Sequence, residues 1–99
     1  MDLTNFKQSV SAKAPPKRLS QAAQALWWDA KGDWDKAHEC AQAEDDAEGA
    51  WVHAYLHRKE GDAMNAEYWY TRAGRPVFSG EFPAEWREIV TELLAETPG

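Results

Sequence analysis

His53 and His57 stand four residues apart in the stretch Trp51-Val52-His53-Ala54-Tyr55-Leu56-His57-Arg58. On a helix, side chains at i and i+4 share a face, so the two imidazoles would project together, the spacing used by two-histidine metal sites. The intervening Ala54-Tyr55-Leu56 carries no carboxylate, so the general base of the zinc-protease motif is missing. A third ligand must come from another helix, and His38, Glu39 and Glu67 are of the right types. The candidate metal set is therefore His38, His53 and His57, suited to a divalent cation, and no other cofactor is indicated. The competing reading is structural: a half-buried pair in which each ring is hydrogen-bonded to a carboxylate or carbonyl.

The aromatic residues are the second candidate. The chain has six Trp, three Tyr and three Phe, and Trp27, Trp28, Trp34, Trp51, Tyr55, Tyr68, Trp69 and Tyr70 all fall in its middle. Neighbours such as Trp27-Trp28 and Tyr68-Trp69-Tyr70 point about 100° apart on a helix, so they cannot all enter one core. Tyr and Trp also carry a polar tip that needs a partner when buried, which suits pocket walls and interfaces. The ligand-binding candidates are Trp27, Trp28, Tyr55, Arg58, Trp69, Tyr70 and Arg72. The alternative is that large rings fill the gaps in an alanine-rich core. Arg58, Lys59, Arg72 and Arg75 fall near expected helix C-termini, where cations complement the helix dipole, although Arg72 and Arg75 could also hold an anion. Glu44-Asp45-Asp46-Glu48 reads as a solvated connector, and Cys40 as a small core residue rather than a nucleophile. There is no Gly-rich phosphate loop, nucleophile elbow or Cys-x-x-Cys pair.

These residues are positioned by helices. The segment 25–37 overlies 54–66 at an offset of 29 residues, with Gly32-Asp33 matching Gly61-Asp62 and Ala37 matching Ala66. A Gly can end a helix in the left-handed conformation, and the Asp after it can cap the next helix. Four helices are expected, over about 19–31, 34–43, 47–60 and 63–73, with Ser20 as a possible cap of the first. In the third, Trp51 and Tyr55 share a face with Ala47, Ala54 and Arg58, while His53 and His57 lie nearly opposite. That helix is thus buried over much of its circumference and forms the centre of the domain. Leu3, Phe6 and Val10 suit a short helix before Pro15-Pro16. Beyond Pro83, the positions Trp86, Ile89, Val90, Leu93 and Leu94 make an amphipathic helix laid across the open end of the repeats. Four valines and one isoleucine leave little material for strands.

Gly32-Asp33-Trp34-Asp35-Lys36-Ala37 resembles the turn and second-helix start of a tetratricopeptide repeat. Gly61-Asp62 through Asn65-Ala66, with Tyr68-Trp69-Tyr70 and Ala73, is similar to the second helix of Sel1-type repeats. The resemblance covers residues 19–76 and implies a tetratricopeptide-like fold of stacked helical hairpins. Such families mostly serve as binding scaffolds and seldom catalyse.

At 99 residues, 43% hydrophobic and 28% charged, the chain is expected to form one domain: 1–18 an N-terminal helix and Pro-Pro linker, 19–76 two antiparallel hairpins, 77–99 a capping helix. The net charge of −6 is shared equally by the two halves, which disfavours nucleic acid. The longest apolar run, from Ala25 to Trp28, is far short of the roughly 20 residues of a membrane span. A single cysteine and an N-terminus without signal-peptide character lead to a cytoplasmic expectation. An all-α domain is expected, with an aromatic-lined face for a peptide or protein partner and self-association to enlarge it. The rival is a small-molecule or metal site, or a minor enzyme, centred on His53 and His57.

Overall fold

The repeated Gly-Asp pair makes the same junction twice. Gly32 and Gly61 adopt φ of +87° and +91°, and the amides that follow reach back to end the preceding helix. Asp33 N–H donates to the Trp28 carbonyl at 3.0 Å and Asp62 N–H to the His57 carbonyl at 2.9 Å, the six-to-one bond of a Schellman stop. Each Asp then starts the next helix, its carboxylate accepting from Lys36 N–H at 3.1 Å or Asn65 N–H at 3.2 Å. Ser20 and Asp46 cap two further helices through Ala23 N–H and Gly49 N–H. Such caps contribute about 1 kcal/mol each.

The computed structural model describes residues 1–96; residues 97–99 of the expected terminal segment lie outside the described residues. The architecture is all-α, with α1 (Leu3–Ser9), α2 (Gln21–Ala30), α3 (Trp34–Ala43), α4 (Ala47–Lys59), α5 (Ala63–Ala73) and α6 (Phe82–Glu96). Among the described residues there is no strand, and no helix is long and apolar enough to cross a membrane. The helices pack as neighbours: α2 on α3, α4 on α5, and α3 against α4. The terminal helix α6 lies against α1, α2 and α4.

The central helix is α4, in which every residue from Gly49 to His57 is buried. The connector before it approaches so closely that a Cβ on Gly49 would overlap the Glu44 carbonyl oxygen. Glu44 itself is half-buried, and its carboxylate accepts from Ala22 N–H at 2.9 Å. The acidic connector is thus solvated at Asp45 and Asp46 but caps α2 across the fold at Glu44.

Two buried carboxylates show where the tyrosine hydroxyls go. Asp29 on α2 accepts from Tyr55 Oη at 2.7 Å and from Lys59 Nζ at 2.9 Å. Glu85 on α6 accepts from Tyr70 Oη and from Arg58 Nε, the latter at 2.9 Å. A buried carboxylate is tolerated only with such partners. Burial and the adjacent carboxylate push both phenols above their ordinary range. Burial likewise raises the Glu85 carboxyl, against the lowering effect of Tyr70 and Arg58.

Candidate metal centre

Three histidines converge between α3 and α4. His38 comes from α3, His53 and His57 from successive turns of α4. One ring nitrogen from each lies within 4.8 Å of the other two. His53 Nε2 and His38 Nε2 are 2.8 Å apart, so in the metal-free protein one of them carries the shared proton. Glu60, on the turn after α4, accepts from or pairs with His57 Nδ1 at 2.7 Å. That contact fixes the ring orientation and leaves Nε2 as the coordinating position, as a carboxylate behind a metal-bound histidine does.

Aromatic rings hold the imidazoles in place. Trp34 stacks on His38 with centroids 4.9 Å apart, and its indole N–H donates to the Leu56 carbonyl at 3.1 Å. Trp69 stacks on His53 at 4.0 Å and 8°, with the Arg72 guanidinium 5.2 Å above the Trp69 ring. His53 is 3% exposed and His57 7%, while His38 is half-buried. Burial, together with the His38 and His57 rings, pushes the His53 imidazole down to about 4. Burial and then His57 lower His38 as well, against the raising effect of Glu60 and other nearby carboxylates. Both rings are therefore neutral at pH 7 and have a lone pair available.

The group has the chemistry of a borderline transition-metal site. Imidazole nitrogens bind zinc, nickel or copper, whereas calcium and magnesium take oxygen ligands. In a tetrahedral zinc site, with Zn–N near 2.05 Å, neighbouring ligand nitrogens lie about 3.3 Å apart. The 2.8 Å contact would open by about half an ångström and the wider contacts would close, shifts within reach of side-chain rotation. The proton on the shared Nε2 would be displaced to Nδ1 or released. Three histidines fill three of four tetrahedral positions and leave one for water or a ligand.

The seven aromatic and arginine candidates do not gather on one face. Trp27, Tyr55 and Tyr70 are buried in the core. Trp27 donates its indole N–H to Ser9 Oγ at 3.0 Å, and Tyr55, Tyr70 and Arg58 serve the two buried carboxylates. Trp28 is half-buried beneath the Lys36 ammonium, 4.3 Å from its ring centre. Only Trp69 and Arg72 adjoin the histidines. Glu39 and Glu67, the other ligand types foreseen, are outside the histidine group. Trp34 and Glu60 are participants that the spacing argument missed. Their signals were Trp34 one turn before His38, and Glu60 three residues after His57. Cys40 is half-buried, and burial raises its thiol, the opposite of an activated nucleophile.

Comparison with protein-family models, curated proteins and solved structures finds no match to this chain.

Proposed function

We propose that the protein is a small helical module that binds a divalent transition metal of the zinc class through His38, His53 and His57. The observation that carries this reading is the meeting of one ring nitrogen from each of three histidines, drawn from two helices, within 4.8 Å. Glu60 behind His57 and the low pKa of His53 add to it. The ion would tie α3 of the first helix pair to α4 of the second, so binding energy becomes folding energy.

Thermal unfolding of chelator-treated protein with and without Zn²⁺ tests the reading. At a hundredfold excess over Kd, linkage contributes about 2.7 kcal/mol, which raises the Tm of a domain this size by roughly 10–20 °C. His57→Ala and His38→Ala, each compared with its own metal-free Tm, should lose the shift. An unchanged Tm in the parent protein at every zinc concentration would refute it.

The tetratricopeptide-like and Sel1-like relationship, the protein or peptide partner, and a cytoplasmic location belong to a second reading, compatible with the first. It is favoured by Met64 and Tyr68 on α5, which remain 85% and 54% exposed, beside the Trp69–Arg72 stack. Light scattering on the same samples tests its self-association component, which a strict monomer across a dilution series would remove.

A further inference from the structure

On another side of α4 a cleft of about 540 Å³ opens between α1, α2, α4 and α6, within the usual range for small-molecule sites. We propose that it binds a small amphipathic anion, an apolar or aromatic body carrying one acid group. Val10, Phe82 and Trp86 form its apolar wall, and Lys7, Lys59 and Arg87 bring cations from three different helices. The one carboxylate in the lining, Asp29, is buried with its charge already matched by Lys59 and its other oxygen held by Tyr55. Among the described residues neither Lys7 nor Arg87 has an ion-pair partner. The cleft therefore carries an excess of two positive charges in a chain whose net charge is −6.

That local reversal of sign selects the ligand. An anion is drawn to a positive cleft with low-dielectric walls, and its acid group can pair with Lys7 and Arg87 without displacing an internal partner. Its apolar part would cover Phe82 and Trp86, whose rings are half-buried. The Trp86 indole N–H is already committed to the Leu26 carbonyl at 3.0 Å, which keeps that wall fixed and apolar. The cations suit a carboxylate or sulfonate, and the one buried anionic acceptor in the lining, Asp29, is already occupied by Lys59 and Tyr55.

Calorimetric titration with decanoate, and with decanol as its uncharged counterpart, tests the assignment. Saturable one-to-one binding of decanoate is expected, with decanol weaker by about tenfold or more. The double variant Lys7→Glu/Arg87→Glu should weaken decanoate by at least about tenfold, while Lys13→Glu/Lys17→Glu should leave it unchanged. Both cleft side chains are exposed, so the double variant should keep the parent's melting profile. No saturable binding up to about 1 mM, equal affinity for decanol, or indifference to the charge reversal would each overturn the proposal. So would a concentration-dependent dimer abolished by the same reversal, because the cleft would then belong to a second copy.

Discussion

His53 is buried in a form that differs from an ordinary solvated imidazole. Its pKa in the folded chain is about 4, against an ordinary value of about 6.5. Between those values the unfolded chain binds more protons than the native one, so stability rises with pH through that window. The contribution is complete above about pH 6.5, declines as pH falls toward 4, and is flat below. Metal-free protein should lose about 2 kcal/mol from this residue between pH 7 and pH 5. His38 acts in the same direction, whereas the raised carboxyl of Glu85 favours folding on acidification. Urea unfolding at the two pH values, in the parent and in His53→Gln, isolates the effect. The variant should show a clearly shallower pH dependence, and equal slopes would contradict a buried neutral imidazole. The i,i+4 spacing made His53 and His57 legible, and residue type made His38 a candidate. Glu60 and Trp34 carried only a spacing signal, and whether either meets a ring depends on which way that ring turns.

At the scale of the elements, local chemistry carried most of the information. The Gly-Asp junctions, Ser20 and the amphipathic pattern after Pro83 each write a boundary into a few adjacent residues, and the helices begin and end close to them. What local chemistry does not write is the approach of distant backbone. Gly49 lies inside α4, where glycine is a poor helix former, yet the Glu44 carbonyl occupies the space a side chain would need. Gly49→Ala should therefore destabilise the protein by about 3 kcal/mol or more through overpacking against backbone. Gly61→Ala, at positive φ with open space around it, should lose only about 1–2 kcal/mol through backbone strain. Denaturant midpoints of the two variants test this order; a Gly49→Ala protein as stable as its parent would show that the connector does not pack as described. The fate of the tyrosines was hidden for the same reason. Tyr55 and Tyr70 meet carboxylates 26 and 15 residues away in sequence, on helices that only the tertiary fold brings near.

At the scale of the whole molecule, α4 carries the two proposed sites on opposite sides. One side presents His53 and His57 to His38 across the junction of the helix pairs. The other presents Tyr55 and Lys59 to Asp29 at the floor of the cationic cleft. Arg58 joins the same helix to α6 through Glu85, with its guanidinium 4.3 Å from the centre of the Phe82 ring. An ion held by the three histidines would thus clamp the contact between α3 and α4, where stacked helix pairs meet. X-ray absorption at the zinc edge of the stoichiometrically loaded protein tests that claim most directly. The expected first shell contains three nitrogens at about 2.0–2.1 Å with imidazole scattering beyond them, reduced to two in His38→Ala. A shell of oxygens alone, or one unchanged by removing His38, would contradict it.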